Sequence, residues 1–174
     1  KTGTLTEGRP RLTECVPAGP FTEADVIRHA AAVERPSEHP LARAILQGAK
    51  DRGMSVPTVA DFQSVTGGGV RGTVEGRPVL VGRRSLLEAA GVADLGPLDP
   101  RAEELQRQGR TVMYVGVGGR LAGLVAVSDP IKPSTPEAVR ALRDLGLRVV
   151  MLTGDNERTA KTVADALGIT EFGA

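Results

Sequence analysis

A chain of 174 residues, 40% apolar and 25% charged, can bury one ordinary core or two small ones. Its net charge of +1 gives no footprint for nucleic acid, and no stretch approaches the ~18 consecutive apolar residues of a membrane helix. One cysteine, Cys15, excludes an internal disulfide and a cysteine-based zinc site, and with only His29 and His39 besides it a structural metal site is not expected.

The chain opens on Lys1-Thr2-Gly3-Thr4-Leu5-Thr6, a threonine-rich loop without the apolar core of a signal peptide. Hydroxyls, a glycine and a lysine together suit a phosphate, although taken alone the stretch reads more readily as a plain terminal segment. An extended piece follows from Arg11. Thr22 with Asp25 marks a helix start, and Val26, Ile27, Ala30, Ala31 and Val33 give it one apolar face. Arg35-Pro36-Ser37 breaks that helix near Glu34, and a second runs from Pro40 to Gly53. The bend between them carries Glu34, Glu38 and His39. His39 reads either as a surface cap or as an imidazole whose tautomer the two carboxylates fix.

Thr58 to Val81 reads as an antiparallel hairpin entered through Gly67-Gly68-Gly69-Val70. Without a strand–loop–helix context these glycines signal close backbone approach, to a neighbouring segment or to a flat ligand. With no Trp, one Tyr and three Phe, such a ligand would rest on aliphatic, glycine or histidine surfaces. Ser85 with Glu88 has capping-box spacing, Asp99-Pro100 starts another helix, and Thr111 to Val127 forms a second hairpin about Gly118-Gly119.

After Ser128 the pattern changes. Asp129-Pro130-Ile131-Lys132 leads into a helix ended by Gly146, then the strand Val149–Leu152, the loop Thr153-Gly154-Asp155-Asn156 and a helix with Ala160, Val163, Ala164 and Leu167 on one face. Residues 122–168 therefore read β–α–β–α, as in a parallel sheet, while residues 10–121 read as paired helices and antiparallel hairpins. One domain inserted in another is expected, with boundaries near Glu14 and Leu124. Thr153-Gly154-Asp155 is either an ordinary turn or an anion site at a helix N-terminus.

Taken together, these segments resemble the cytoplasmic ATP-binding region of P-type ATPases. Lys1–Thr6 is similar to the signature following the phosphorylated aspartate, Thr153–Asn156 to the Thr-Gly-Asp motif and Asp129–Lys132 to the Asp-Pro-x-(Lys/Arg) segment. Ser37-Glu38-His39-Pro40-Leu41, with Gly67, Gly69 and Gly82, resembles the mark of the heavy-metal-transporting (type 1B) subgroup. The resemblance implies an α/β fold: an incomplete Rossmann-like, haloacid-dehalogenase-type parallel sheet (1–13 and 124–174) with an inserted α+β antiparallel nucleotide-binding domain (14–123). It further implies ATP and Mg²⁺ as ligands. Glu34, His39, Gly67, Gly69, Val70 and Gly82 would form the adenine and ribose pocket. Thr2, Thr153, Gly154 and Asp155 would surround the γ-phosphate, with Thr2 offering a backbone carbonyl to Mg²⁺ and Asp129 and Lys132 supporting the loop.

The same resemblance places the phosphorylated aspartate one position before Lys1 and a second Mg²⁺ segment beyond Ala174. Nucleotide binding without turnover is thus expected of this chain alone. Its partners would be the remaining parts of a transporter, its membrane helices, actuator domain and the rest of its phosphorylation domain, at the cytoplasmic face of a membrane. Many copper-type relatives carry Asn where this chain has Arg83, which tilts the expected cargo away from copper. The competing reading is a soluble phosphatase or phosphotransferase of the haloacid-dehalogenase type, with residues 14–121 as its cap.

Overall fold

The computed structural model describes residues 1–154 and 157–174. Most of the chain is organised by a six-stranded antiparallel sheet. Its strands are β1 (Arg11–Pro17), β2 (Val59–Val65), β3 (Gly69–Val74), β4 (Arg77–Gly82), β5 (Thr111–Val117) and β6 (Arg120–Ser128), in the spatial order β1-β6-β5-β4-β3-β2.

Two helices cover one face, α1 (Glu23–Glu34) and α2 (Pro40–Asp51). Thr22 and Asp25 form a reciprocal capping box that starts α1. The apolar stripe of α1 is then fully buried: Val26, Ile27, Ala30, Ala31 and Val33 are 0% exposed against Val74, Val79, Val81 and Val115 of the sheet. Two shorter helices, α3 (Arg84–Ala89) and α4 (Asp99–Arg107), pack on the other face around Leu87, Leu105, Tyr114 and Leu124. A single 3₁₀ turn (Gly96–Leu98) leads into α4. The expected capping box at Ser85 is not used. The helix begins two residues earlier, Arg83 caps it without a side-chain hydrogen bond, and Glu88 pairs with Arg84 instead.

The remaining elements form a small parallel unit. Helix α5 (Thr135–Asp144), strand β7 (Val150–Leu152), helix α6 (Glu157–Ala166) and strand β8 (Glu171–Gly173) gather around Val139, Met151, Ala160, Ala164 and Ile169. Strands β7 and β8 pair in parallel, as a β–α–β crossover requires. The mixed α/β class expected from the sequence is what the fold shows. One strand carries two expectations: residues 122–127 read both as the return of the second hairpin and as the first strand of the β–α–β–α run, and β6 takes the first place only, lying between β1 and β5, antiparallel to both. A run buried on both faces looks the same in sequence whether it is the middle of a parallel or an antiparallel sheet. The expected boundaries at Glu14 and Leu124 therefore fall inside β1 and β6.

The chain crosses between the two units twice, side by side. Glu7 N donates to Pro130 O at 2.8 Å and Lys132 N to Leu5 O at 3.0 Å, with Thr6 and Ile131 forming an antiparallel bridge. A second contact lies further out, where Thr162 Oγ1 of α6 donates to Arg107 O at the end of α4 at 3.1 Å.

Candidate functional site

Between the two units opens a cleft of about 1110 Å³. Glu34, His39, Gly67, Gly69, Val70 and Gly82 line it on the antiparallel side, and Thr2, Asp129 and Gly154 on the other. The fold thus brings together residues from both ends of the chain and from its middle.

Glu34 is the last residue of α1 and only 5% exposed. Its Oε2 is buried with no hydrogen-bond partner. Burial pushes its carboxyl up to about 7, partly offset by a hydrogen bond from Ser37. An unsatisfied buried oxygen of this kind costs roughly 1–3 kcal/mol, and it stands beside an open cleft.

His39 caps α2. Its Nδ1 accepts from Leu41 N at 3.2 Å, so the ring proton resides on Nε2. The tautomer is set by this backbone N–H, not by Glu34 or Glu38, because the first turn of a helix presents unpaired donors at that position. Capping occupies one nitrogen and leaves the Nε2–H edge of an exposed ring directed elsewhere.

The glycines divide by function. Gly67 has φ +69°, and a Cβ there would meet nothing within 4 Å, so its backbone is open to the cleft. Gly69 and Gly82 face each other across β3 and β4. A Cβ on Gly69 would lie 2.1 Å from Val81 O, and one on Gly82 2.1 Å from Gly68 O. Val70, 5% exposed, packs into the core behind the loop.

Across the cleft, Asp129 secures the two crossings. Its Oδ2 accepts from Thr6 Oγ1 and its Oδ1 from Arg9 N at 3.0 Å. Both oxygens face these donors, which makes Asp129 a structural brace. Lys132 Nζ donates to Gly3 O at 2.8 Å and Thr135 Oγ1 to Leu5 O at 2.8 Å, so the Lys1–Thr6 loop is held from below. The amino group of Lys1 donates to Leu152 O at 2.8 Å, setting this loop beside the end of β7. Thr153 N donates to Gly173 O at 3.0 Å, the last bond of the parallel pair, and Gly154 is exposed at the cleft. Asp155 and Asn156 lie outside the described residues.

Two contributors escaped the sequence reading. Ser37 bonds both Glu34 and the backbone N of His39, and its place in the proline-flanked bend was the available signal. Thr6 is 0% exposed and donates to Asp129, a pairing between positions 123 apart that no local pattern announces.

A polar glycine loop facing a threonine loop at the end of a parallel strand is an arrangement found in phosphoryl-handling α/β folds. The model of the haloacid dehalogenase-like hydrolases matches residues 1–173. The chain belongs to this family. Within the haloacid dehalogenase-like hydrolases, its similarity is to P-type ATPases. It is 49% identical to the copper-transporting ATPase 1 of Rhizobium meliloti over 171 residues, which are 98% of this chain and 21% of that protein. It is 34% identical to a zinc-transporting PIB-type ATPase solved in an E2.Pi state, with a TM-score of 0.80, over 100% of this chain and 28% of that one. The catalytic domain of the CPx-ATPase CopB-B, studied upon nucleotide binding, gives 28% identity and a TM-score of 0.68 over 99% of this chain and 58% of that domain. The chain thus spans about a fifth of the length of the curated relative it matches. The resemblance to heavy-metal P-type ATPases therefore holds over the whole sequence, insert included. No helix among the described residues is long and apolar enough to cross a membrane.

Proposed function

We propose that the cleft binds Mg·ATP, and that this chain is the nucleotide-binding region and part of the phosphorylation region of a heavy-metal-exporting P-type ATPase. The observation that carries the reading is the unpartnered, buried Oε2 of Glu34 on the same cleft as the open backbone of Gly67. An adenine fits both: its exocyclic amine supplies the missing donor, and its flat ring needs a surface without side chains. His39 Nε2–H is the further donor on that side. The phosphates then extend toward Thr2 and Gly154, where a glycine-containing loop precedes a helix.

On this reading the two units divide at the paired crossings, near residues 10 and 129, with the antiparallel unit delivering the nucleotide. Asp129 and Lys132 position the Lys1–Thr6 loop and do not touch the reacting atoms. Mg²⁺, when bound, would neutralise phosphate oxygens during transfer. Among the described residues no three carboxylate, histidine or cysteine side chains converge on a metal position. The carbonyl of Thr2 is the ligand this loop offers, alongside the phosphates themselves.

The higher identity to the copper-transporting relative supports a copper-class cargo. A soluble phosphatase with a cap is the weaker reading, because the similarity to transporters runs through the antiparallel insert as well as the parallel unit.

The test is an NMR titration of the 174-residue chain with ADP and Mg·ATP. Saturable shifts are expected at Glu34, His39, Gly67 and Gly69, and His39→Ala is expected to weaken them about tenfold. Absence of any change at these positions at millimolar nucleotide overturns the reading.

A further inference from the structure

A second cavity, of about 480 Å³, lies at the far end of the antiparallel unit. Strand β4 joins the two places. Gly82 at its end lines the nucleotide cleft, while Arg77 at its start lines this cavity. They are the two ends of this six-residue strand, roughly 17 Å apart.

Arg77, Arg120 and His29 contribute its donors. The β5–β6 turn docks on β4 through a 2.9 Å hydrogen bond from Gly118 N to Pro78 O, which brings the Arg120 strand end beside the Arg77 strand end. Neither guanidinium has an ion pair or a side-chain hydrogen bond among the described residues. His29 is 95% buried, and its Nδ1 pairs with Asp25 O at 2.7 Å, so that nitrogen carries the proton. Its Nε2 has no partner among the described residues, and His29 lines the cavity.

The neighbouring acids are already engaged. Asp25, which also lines the cavity, accepts from Thr22 N at 2.9 Å and Thr22 Oγ1 at 2.7 Å in the capping box of α1. Glu75, on the β3–β4 turn, is paired with Arg28 through two hydrogen bonds. Two guanidiniums outside any ion pair, Arg77 within the electrostatic reach of Glu75, and a buried imidazole with an unused nitrogen line one polar space together with the capped Asp25. Pro20, Phe21 and Val117 complete its lining, and both guanidiniums stand at its open side.

We propose that this cavity is a binding site for a small tetrahedral oxyanion of the sulfate and phosphate class. Arg77 and Arg120 supply planar, multiply donating groups suited to its oxygens. His29 joins them only when protonated, because its neutral form presents a lone pair toward the cavity. Protonated His29 would donate from Nε2 to an oxygen of the bound anion.

Sulfate is the cleaner probe, since its charge is constant over the range where histidine titrates. Sulfate is added to the full chain at about pH 6 and about pH 8, and Arg77 Nε–H, Arg120 Nε–H and the Gly118 amide are followed by NMR. Saturable shifts at millimolar sulfate are expected, with the dissociation constant several-fold lower at the acidic pH. Chloride at equal ionic strength should leave these signals nearly unmoved. The double variant Arg77→Gln/Arg120→Gln should lose at least tenfold in affinity, while ADP still shifts Gly67. If that variant does not fold, Arg120→Gln alone should weaken sulfate several-fold.

Shifts that do not saturate, that chloride reproduces, or that survive in the variants overturn the site. Equal affinity at the two pH values overturns the role of His29. Phosphate in place of sulfate should shift the same three signals, and failure to do so removes it from the ligand class.

Discussion

Gly69 and Gly82 are cross-strand partners whose α-carbons face each other so closely that neither has space for a methyl group. The tight pairing lets the Gly67–Gly69 turn fold back over the start of α3, where Arg83 N donates to Gly68 O at 2.8 Å. Gly69→Ala or Gly82→Ala is expected to destabilise the chain by about 2–4 kcal/mol, since backbone and not a flexible side chain must move. Gly67→Ala has a different cost: about 1–2 kcal/mol for its left-handed backbone, with space available. Chemical denaturation ranks the three. Nucleotide titration of Gly67→Ala should show weakened binding in a chain that still folds.

Glu34 makes stability depend on pH in a direction opposite to most carboxylates. Burial raises its proton affinity in the folded state, to about 7, so the folded chain retains a proton that the unfolded chain releases. Its contribution is fully present below the unfolded value of 4.5 and is lost as pH rises through about 7. The amount is about 3 kcal/mol. Glu34→Gln should flatten this fall in urea-unfolding free energies measured between about pH 5 and pH 8. A variant that keeps the wild-type slope would assign the pH dependence elsewhere.

His39 joins two functions that substitution can separate. His39→Ala removes the cap on α2 and should cost about 1 kcal/mol. His39→Asn restores an N-cap acceptor and hence stability, yet lacks the Nε2–H reach of the imidazole. Melting temperature should recover in the Asn variant while nucleotide affinity stays low. Recovery of both would mean that His39 acts only as a cap.

Thr6→Val removes the donor to Asp129 from a position with 0% exposure and leaves the size of the side chain nearly unchanged. A loss of about 1–3 kcal/mol is expected from the carboxylate left without this partner. Hydrogen exchange should quicken at Glu7 and Lys132, whose amides bond across the crossings. Protection unchanged at both amides would show that backbone pairing alone holds the two units together.

Cys15 should react sluggishly in the folded chain. Burial pushes its thiol up to about 12, with the Glu23 carboxylate adding and Arg52 opposing. Alkylation by iodoacetamide at neutral pH should therefore follow unfolding, rising steeply across the urea transition.

The helices were legible in the sequence because their signals are local. Thr22 and Asp25 start α1, prolines start α2 and α4, and the apolar spacing on α1 and α6 states which face is buried. Hairpins about Glu75-Gly76 and Gly118-Gly119 were legible for the same reason. What local pattern cannot carry is partnership over distance. Arg11 pairs with Ser128 and Pro17 with Gly123, a closure across more than a hundred residues that decides where β6 belongs. Strand β8, only three residues long, gives no periodicity to read. At the site, motif order pointed to both walls of the cleft. The unsatisfied oxygen of Glu34 and the tautomer of His39 emerge only when neighbours are placed in space.

The two crossings lie side by side and are laced by backbone hydrogen bonds, so they act as a short flat ribbon and not as a pair of loose strings. A ribbon flexes easily across its thin direction and resists both shear and torsion. The movement expected of the antiparallel half is a rocking that widens or narrows the mouth of the cleft. The bond between Thr162 and Arg107 spans the two units away from that ribbon, so an opening movement is expected to break it first.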